Sequence, residues 1–152
     1  HGVTPDPQRH LEAAIGREWA GMHVAADLNG NKSGMVPGST NGINWHIVLK
    51  QSLDPQGVTL VQLAPPTHID SLASGQVDAL YTLEPIVTVA LAKGVGEMLI
   101  AGLNARFIVN PFPGGVSLGW SSFLAQHRDD AMQARPAIYR GVDTIRAHAA
   151  ES

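Results

Sequence analysis

The 152-residue sequence contains no cysteine, which removes disulfides, thiolate metal ligands and cysteine nucleophiles together. That absence fits an exported bacterial protein without requiring one. Charge is sparse as well: 15% of residues are charged, the net charge is -3, and Lys and Arg are scattered singly. No basic stripe exists to neutralise phosphates along DNA or RNA, so no nucleic-acid partner is expected. No apolar run approaches the roughly 18 residues of a membrane helix. The sequence opens at His1 with neither a charged n-region nor an apolar h-region, which leaves a removed signal peptide or a start within a longer chain.

Several chemistry-bearing patterns are missing too. The histidines at 1, 10, 23, 46, 68, 127 and 148 show neither His-x-x-x-His nor His-Glu-x-x-His spacing, so no metal is expected. His46 falls one helical turn from Ile43 and either approaches the ligand end of its helix or, the plainer reading, is solvated or capped. Gly114-Gly115 lacks the Lys and Ser or Thr that complete a nucleotide-binding turn. No Ser-His-Asp set and no paired carboxylates can be read from the spacing, so no catalytic residue and no cofactor are assigned.

What is present is a soluble globular composition, 44% hydrophobic, large enough for one core or one core plus an appendage. Residues 71–85, SLASGQVDALYTLEP, are the densest stretch: a helix end, a Gly stop, a short strand and an acidic turn follow in order. Upstream, GMVPGSTN (Gly34 to Asn41) runs a strand into a Pro-Gly turn and then into a helix capped by Ser39 or Thr40. Residues 1–8 show no periodicity, whereas Leu11, Ala14, Ile15, Glu18 and Trp19 have the spacing of a short amphipathic helix. A strand is predicted from Ser33 to Val36, and a helix from Ser39 to about Ser52 with Ile43, Ile47 and the Trp45–Leu49 pair as its apolar positions. Val58 to Leu63 reads as a strand, Pro66 to Ser74 as a helix stopped by Gly75, Val77 to Thr82 as a strand, and Pro85 to Lys93 as a helix closed by Gly94.

This alternation argues for an α/β layer with a largely parallel sheet, whose ligands gather outside the carboxyl ends of the strands. From Glu97 to Val109 the chain leans to β structure, Pro111 to Gly115 interrupts it, and Val116 to Trp120 resumes it. A terminal helix opens at Asp129 or Asp130 and runs through Ile138, Val142 and Ile145, with Pro136 expected to kink or split it. The domain reading is an N-terminal segment over 1–24, an α/β ligand-binding lobe over 25–115, and a crossover strand with a helical tail over 116–152, belonging to a second lobe.

Candidate ligand groups cluster on the predicted turns. Ser39 and Thr40 stand at a helix N-terminus, where free backbone N–H groups and the helix dipole favour an anion; the plainer reading of Ser39 is a helix cap. Asn41 and Asn44 lie just beyond. Glu84 ends a strand before Pro85, so its carboxylate either meets an amine or hydroxyl of a ligand or serves as a first-turn helix acid. Tyr81 and Thr82 supply hydroxyls beside it, although strand alternation turns one of them away. Thr67, after Pro65-Pro66, is a donor at the same edge or a helix cap. Trp45 and Trp120 either wall a pocket or sit in the core, which is the commoner place for a tryptophan among isoleucines.

Taken in order, Ala26-Asp27-Leu28-Asn29-Gly30-Asn31-Lys32, Val36-Pro37-Gly38-Ser39-Thr40-Asn41, Leu72-Ala73-Ser74-Gly75-Gln76-Val77-Asp78-Ala79, Tyr81-Thr82-Leu83-Glu84-Pro85 and Ala90-Leu91-Ala92-Lys93-Gly94 resemble one family. It is the periplasmic solute-binding proteins of the nitrate, sulfonate and taurine transporter class, also described as NMT1/THI5-like or SsuA-like. A looser likeness runs from Phe123-Leu124 to His148. The resemblance implies a type II periplasmic-binding fold, two lobes that close on a ligand at a hinge, and an ATP-driven ABC permease as membrane partner. It also implies a location in the periplasm or otherwise outside the cytoplasm. Such proteins are about twice this length, so the chain reads as one lobe plus a returning helical tail.

The resemblance further implies that the Ser39-Thr40-Asn41 turn faces a small anionic solute of sulfonate, taurine, nitrate or carboxylate type; the strand-end reading adds Thr67, Tyr81, Thr82 and Glu84 around it. An unpaired lobe surface would favour a homodimer. Two other classes stay open. One is a ligand-sensing domain of a receptor or regulator. The other is an enzyme of this fold related to thiamine-pyrimidine synthesis, a type that depends on a cysteine-rich motif absent here.

Overall fold

Residues Glu12–Arg17 (EAAIGR) form a strand, β1, where the spacing of Leu11, Ala14 and Ile15 predicts a helix. The computed structural model describes residues 11–18, 20–52, 57–110, 112 and 117–148, without the side chains of Ala25 and Ser52; the aperiodic segment at 1–8 and Pro111, Pro113, Gly114 and Gly115 lie outside them. β1 is covered on both faces, and a strand buried that way shows no polar alternation, so its apolar run looks the same as a buried helix turn. Small side chains at Ala13, Ala14 and Gly16 let neighbours close in from both sides.

The other strands are β2 (Lys32–Met35), β3 (Thr59–Gln62), β4 (Ala79–Leu83) and β5 (Gly96–Ala101), in the sheet order β3-β2-β4-β1-β5. β2 pairs in parallel with β3 and β4, whereas β1 pairs antiparallel with β4 and β5, so β1 alone runs against the rest. The sheet is therefore mixed but mostly parallel, flanked by helices. Register places Glu12 opposite Leu83 and Ala14 opposite Tyr81.

Alternation along the strands builds two cores. Ala14, Ala79 and Tyr81 point to one face and pack with Trp45, Val48 and Leu49 of α1 (Thr40–Ser52) and Leu103 of α4 (Leu103–Phe107). Ala13, Ile15 and Leu80 point to the other face and pack with Leu72 of α2 (His68–Ala73) and Val87 and Ala90 of α3 (Ile86–Ala92). Of the apolar positions expected for α1, Trp45 and Leu49 are buried, together with Val48, whereas Ile43 is 63% exposed and Ile47 also faces outward. Trp45 sets that orientation. Its ring stacks on Tyr81 at 5.1 Å between centroids, and its Nε1 donates to Ser33 Oγ at 3.0 Å.

The helix expected over Pro66–Ser74 divides into a 3-10 turn at Pro65–Thr67 and α2, and Gly75 ends it at φ +75°. The segment expected to stay extended to Val109 does so only through β5. Gly102, at φ +63°, turns the chain there, and α4 follows because Leu103 and Asn104 are buried against the sheet.

Two compact units divide the chain, residues 1–114 and 115–152. In the second, the described part of the strand expected over Val116–Trp120, residues 117–120, is irregular and exposed, with no neighbouring strand among the described residues to satisfy its backbone. α5 (Ser121–Gln126) and α6 (Arg128–Ala147) follow. Pro136 lies inside α6 without splitting it, since the exposed surface around Met132 leaves the freed carbonyl open to water.

Candidate functional site at the carboxyl edge of the sheet

Four strands point toward one edge, and each runs into a turn there: Ser39–Thr40 after β2, Ala64–Thr67 after β3, Glu84–Pro85 after β4 and Gly102–Asn104 after β5. The start of β1 comes back to the same edge, where Leu11 O accepts from Glu84 N at 2.9 Å and Glu12 O from Gly102 N at 3.0 Å. β2 leads through α1 to β3 on one side, and β3 returns through α2 to β4 on the other. The crevice of an open α/β sheet forms at such a reversal, here between β2 and β4.

Ser39 caps α1: its Oγ accepts from Gly42 N at 3.2 Å and donates to Val36 O at 3.0 Å. Thr40 is exposed and Asn41 half-buried. Their backbone N–H groups stand in the first turn, where an α-helix has no acceptor of its own to offer. Thr67 Oγ1 donates to Ala64 O at 2.8 Å, which stiffens the Pro65–Pro66 turn. Glu84 is exposed, and its Oε2 accepts from Thr88 N at 3.1 Å, capping α3.

Tyr81 and Thr82 differ from these. Both are buried, and each hydroxyl has an internal partner. Tyr81 donates to Asn104 Oδ1 at 2.8 Å, and Asn104 N donates to Glu12 Oε1 at 3.1 Å. Burial first and the Glu12 carboxylate second push the Tyr81 phenol far above its ordinary range, so it stays protonated. On the opposite face Thr82 Oγ1 lies 2.9 Å from Nδ1 of His68, whose Nε2 lies 3.2 Å from Leu63 O. A carbonyl only accepts, so Nε2 carries the proton and Nδ1 accepts from the threonine hydroxyl. Burial holds the His68 pKa below its ordinary value, partly offset by the Leu63 bond.

The structure thus brings Ser39, Thr40, Asn41, Thr67 and Glu84 to one edge and sets Tyr81 and Thr82 beneath it. Asn44, also buried, lies against the Tyr81 hydroxyl. Glu12, His68 and Asn104 are absent from the sequence-derived set. Their bonds to Asn104, Thr82 and Tyr81 join segments remote in sequence, and no local motif marks them.

The sequence model of the NMT1-like family matches residues 8–151. The chain belongs to that family. The match takes in β1 as well as the motifs that follow it. Among solved structures, the periplasmic aliphatic sulphonate binding protein SsuA from Escherichia coli aligns over 96% of this NMT1-like chain and 48% of its own, with TM-score 0.72 and 20% identity. The alkanesulfonate-binding protein SsuA from Xanthomonas axonopodis pv. citri, bound to MOPS, aligns over 65% of this chain and 35% of its own, with TM-score 0.56 and 22% identity. Both show the same fold, that of periplasmic binding proteins. A protein-glutamate methylesterase/protein-glutamine glutaminase 3 of Rhodospirillum rubrum is 29% identical over 102 residues, 67% of this chain and 27% of that protein. The NMT1-like chain spans about half of these proteins' lengths or less.

Proposed function

We propose that this chain is the ligand-gripping lobe of an extracytoplasmic solute-binding component of an ABC importer, taking a small anionic solute of sulfonate, taurine, nitrate or carboxylate type. One observation carries the reading: the N-terminus of α1, capped by Ser39, opens at the carboxyl edge of the sheet beside the reversal of strand order. An anion placed there meets the N–H groups of Thr40 and Asn41 and the hydroxyl of Thr40. Thr67 and Glu84 border it from the neighbouring turns. Exposed Leu11 and Leu83 supply apolar surface at the same edge, which favours a solute with a carbon body over a bare inorganic ion. Tyr81 and Thr82 act from below, holding the β4 end in place.

No bond is broken in this function. Solute binding shifts an equilibrium between open and closed arrangements of two lobes, and an ABC permease reads the closed one. The shared fold with SsuA and membership of the NMT1-like family support the reading.

Thermal unfolding against taurine, butanesulfonate, nitrate, bicarbonate and benzoate tests it. A solute at about a hundred times its Kd adds roughly 2.7 kcal/mol to stability. A selective upward shift that disappears in the Ser39→Ala, Thr40→Ala double variant is expected. Undiminished affinity in that variant would sink the site assignment.

A further inference from the structure

His68 spans a strand. Its Nε2 bonds the carbonyl of Leu63 at the end of β3, and its Nδ1 bonds the hydroxyl of Thr82 near the end of β4. These two strands are not neighbours, since β2 lies between them in the sheet. The imidazole therefore bridges across the end of the strand that feeds the Ser39–Thr40 turn. The crossing is completed by apolar contact one layer deeper: Gly34 of β2 has no side chain, and a Cβ there would stand 2.6 Å from Leu80 and 2.8 Å from Leu63. Leu63, just past β3, and Leu80 of β4 thus approach each other over β2, with His68 adding the polar link at the rim.

Consequences follow for the turns above. Leu63 leads directly into Ala64–Thr67, whose internal bond is Thr67 Oγ1 to Ala64 O, and His68 itself begins α2 from that turn. Thr82 stands two residues before Glu84. A fully buried side chain with both ring nitrogens engaged leaves neither turn free to slide against the other.

We propose that His68 is a positioning residue of the solute site, fixing the Thr67 turn against the Glu84 turn at the separation that a solute seated on α1 requires. The proposal rests on the solute-binding reading, and it concerns a residue that does not itself touch solute. A histidine filling core volume alone would be replaced by leucine with a general loss of stability and no selective effect on the two turns.

The test compares His68→Leu, His68→Gln and Thr82→Val with the wild-type chain. Amide hydrogen exchange is followed at Thr67 N, bonded to Ala64 O, and at Thr88 N, bonded to Glu84 Oε2. Gly42 N, bonded to Ser39 Oγ on a turn that His68 does not bond, is the internal control. Loss of a buried hydrogen bond is expected to raise exchange at both turns about tenfold in His68→Leu and Thr82→Val, with Gly42 little changed. His68→Gln, which keeps an N–H for the Leu63 carbonyl, should restore most of the protection. Butanesulfonate affinity by calorimetry should fall about tenfold in His68→Leu and recover in His68→Gln. Equal acceleration at Gly42, or loosened turns with unchanged affinity, would overturn the positioning role. Absence of binding by the wild-type chain to any solute in the panel would strike the functional reading instead, and the exchange pattern would still decide whether His68 holds the turns. Should His68→Leu fail to fold, Thr82→Val carries the same comparison with the imidazole in place.

Discussion

The hydroxyl of Tyr81 lies 2.8 Å from Oδ1 of Asn104, a buried bond that ties the end of β4 to α4 at the rim of the sheet. Tyr81→Phe keeps the ring and its stacking on Trp45 but leaves the Asn104 oxygen without that donor. A buried acceptor stripped of its partner costs about 1–3 kcal/mol. For a chain of this size each kcal/mol moves Tm by about 2–4 °C. Thermal unfolding of the variant should fall by several degrees. A change within about one degree would mean that the bond is replaced by another.

Acid pH should weaken the fold through His68. Its pKa is lowered in the folded state by burial, so between that value and the ordinary histidine value of about 6.5 the unfolded chain binds a proton that the folded chain refuses. Stability contributed by this group is complete above the unfolded value and declines as pH falls below it. Denaturant unfolding between pH 7.5 and 5 should show this decline, and His68→Gln should flatten it. Tyr81 gives the opposite limb, because its raised pKa makes the unfolded chain lose its proton first as pH climbs past about 10. An unchanged slope in His68→Gln would place the acid sensitivity elsewhere.

Gly34→Ala should destabilise the protein although alanine suits a strand at least as well as glycine. The added Cβ would sit 2.6 Å from Leu80 and 2.8 Å from Leu63, both in the buried core on the α2 and α3 side. Overpacking of this kind costs about 1–3 kcal/mol. Urea titration of the variant should show a lower midpoint with an unchanged slope. A second change that makes room, Leu63→Val, should recover part of the loss, because the clash is with a side chain and not with backbone.

These predictions mark where the sequence was readable. GMVPGSTN, Pro65-Pro66-Thr67 and Leu83-Glu84-Pro85 each carry a local signal, a breaker, a cap or a helix start, so three of the four turns at the carboxyl edge are legible in the sequence; the fourth, at Gly102–Asn104, is not, because the segment from Glu97 to Val109 reads as extended throughout. Nor is β1, because EAAIGR is buried on both faces and loses the alternation that identifies a strand. Helical spacing names both the Ile43–Ile47 and the Trp45–Leu49 positions of α1, and the stacking of Trp45 on Tyr81 with its bond to Ser33 selects the second. Glu12 and Asn104 meet across 92 positions, a separation at which no motif reports contact. His68 is closer in sequence to Thr82, yet its role depends on strand order, which is a property of the whole sheet.

Glu84 gives a final test, one that separates classes of solute. Its carboxylate caps α3 through Thr88 N, and glutamine can accept the same bond with its side-chain carbonyl, so Glu84→Gln should leave stability within about 0.5 kcal/mol. The charge is lost while the cap is kept. A solute with an ammonium group, such as taurine, would lose an exposed ion pair worth about 0.2–1 kcal/mol, whereas butanesulfonate has no ammonium to lose. Calorimetry should therefore show taurine weakened about two- to fivefold relative to butanesulfonate. If both solutes change by the same factor, Glu84 serves only as the cap of α3, and the amine partner must be sought on another turn of the rim.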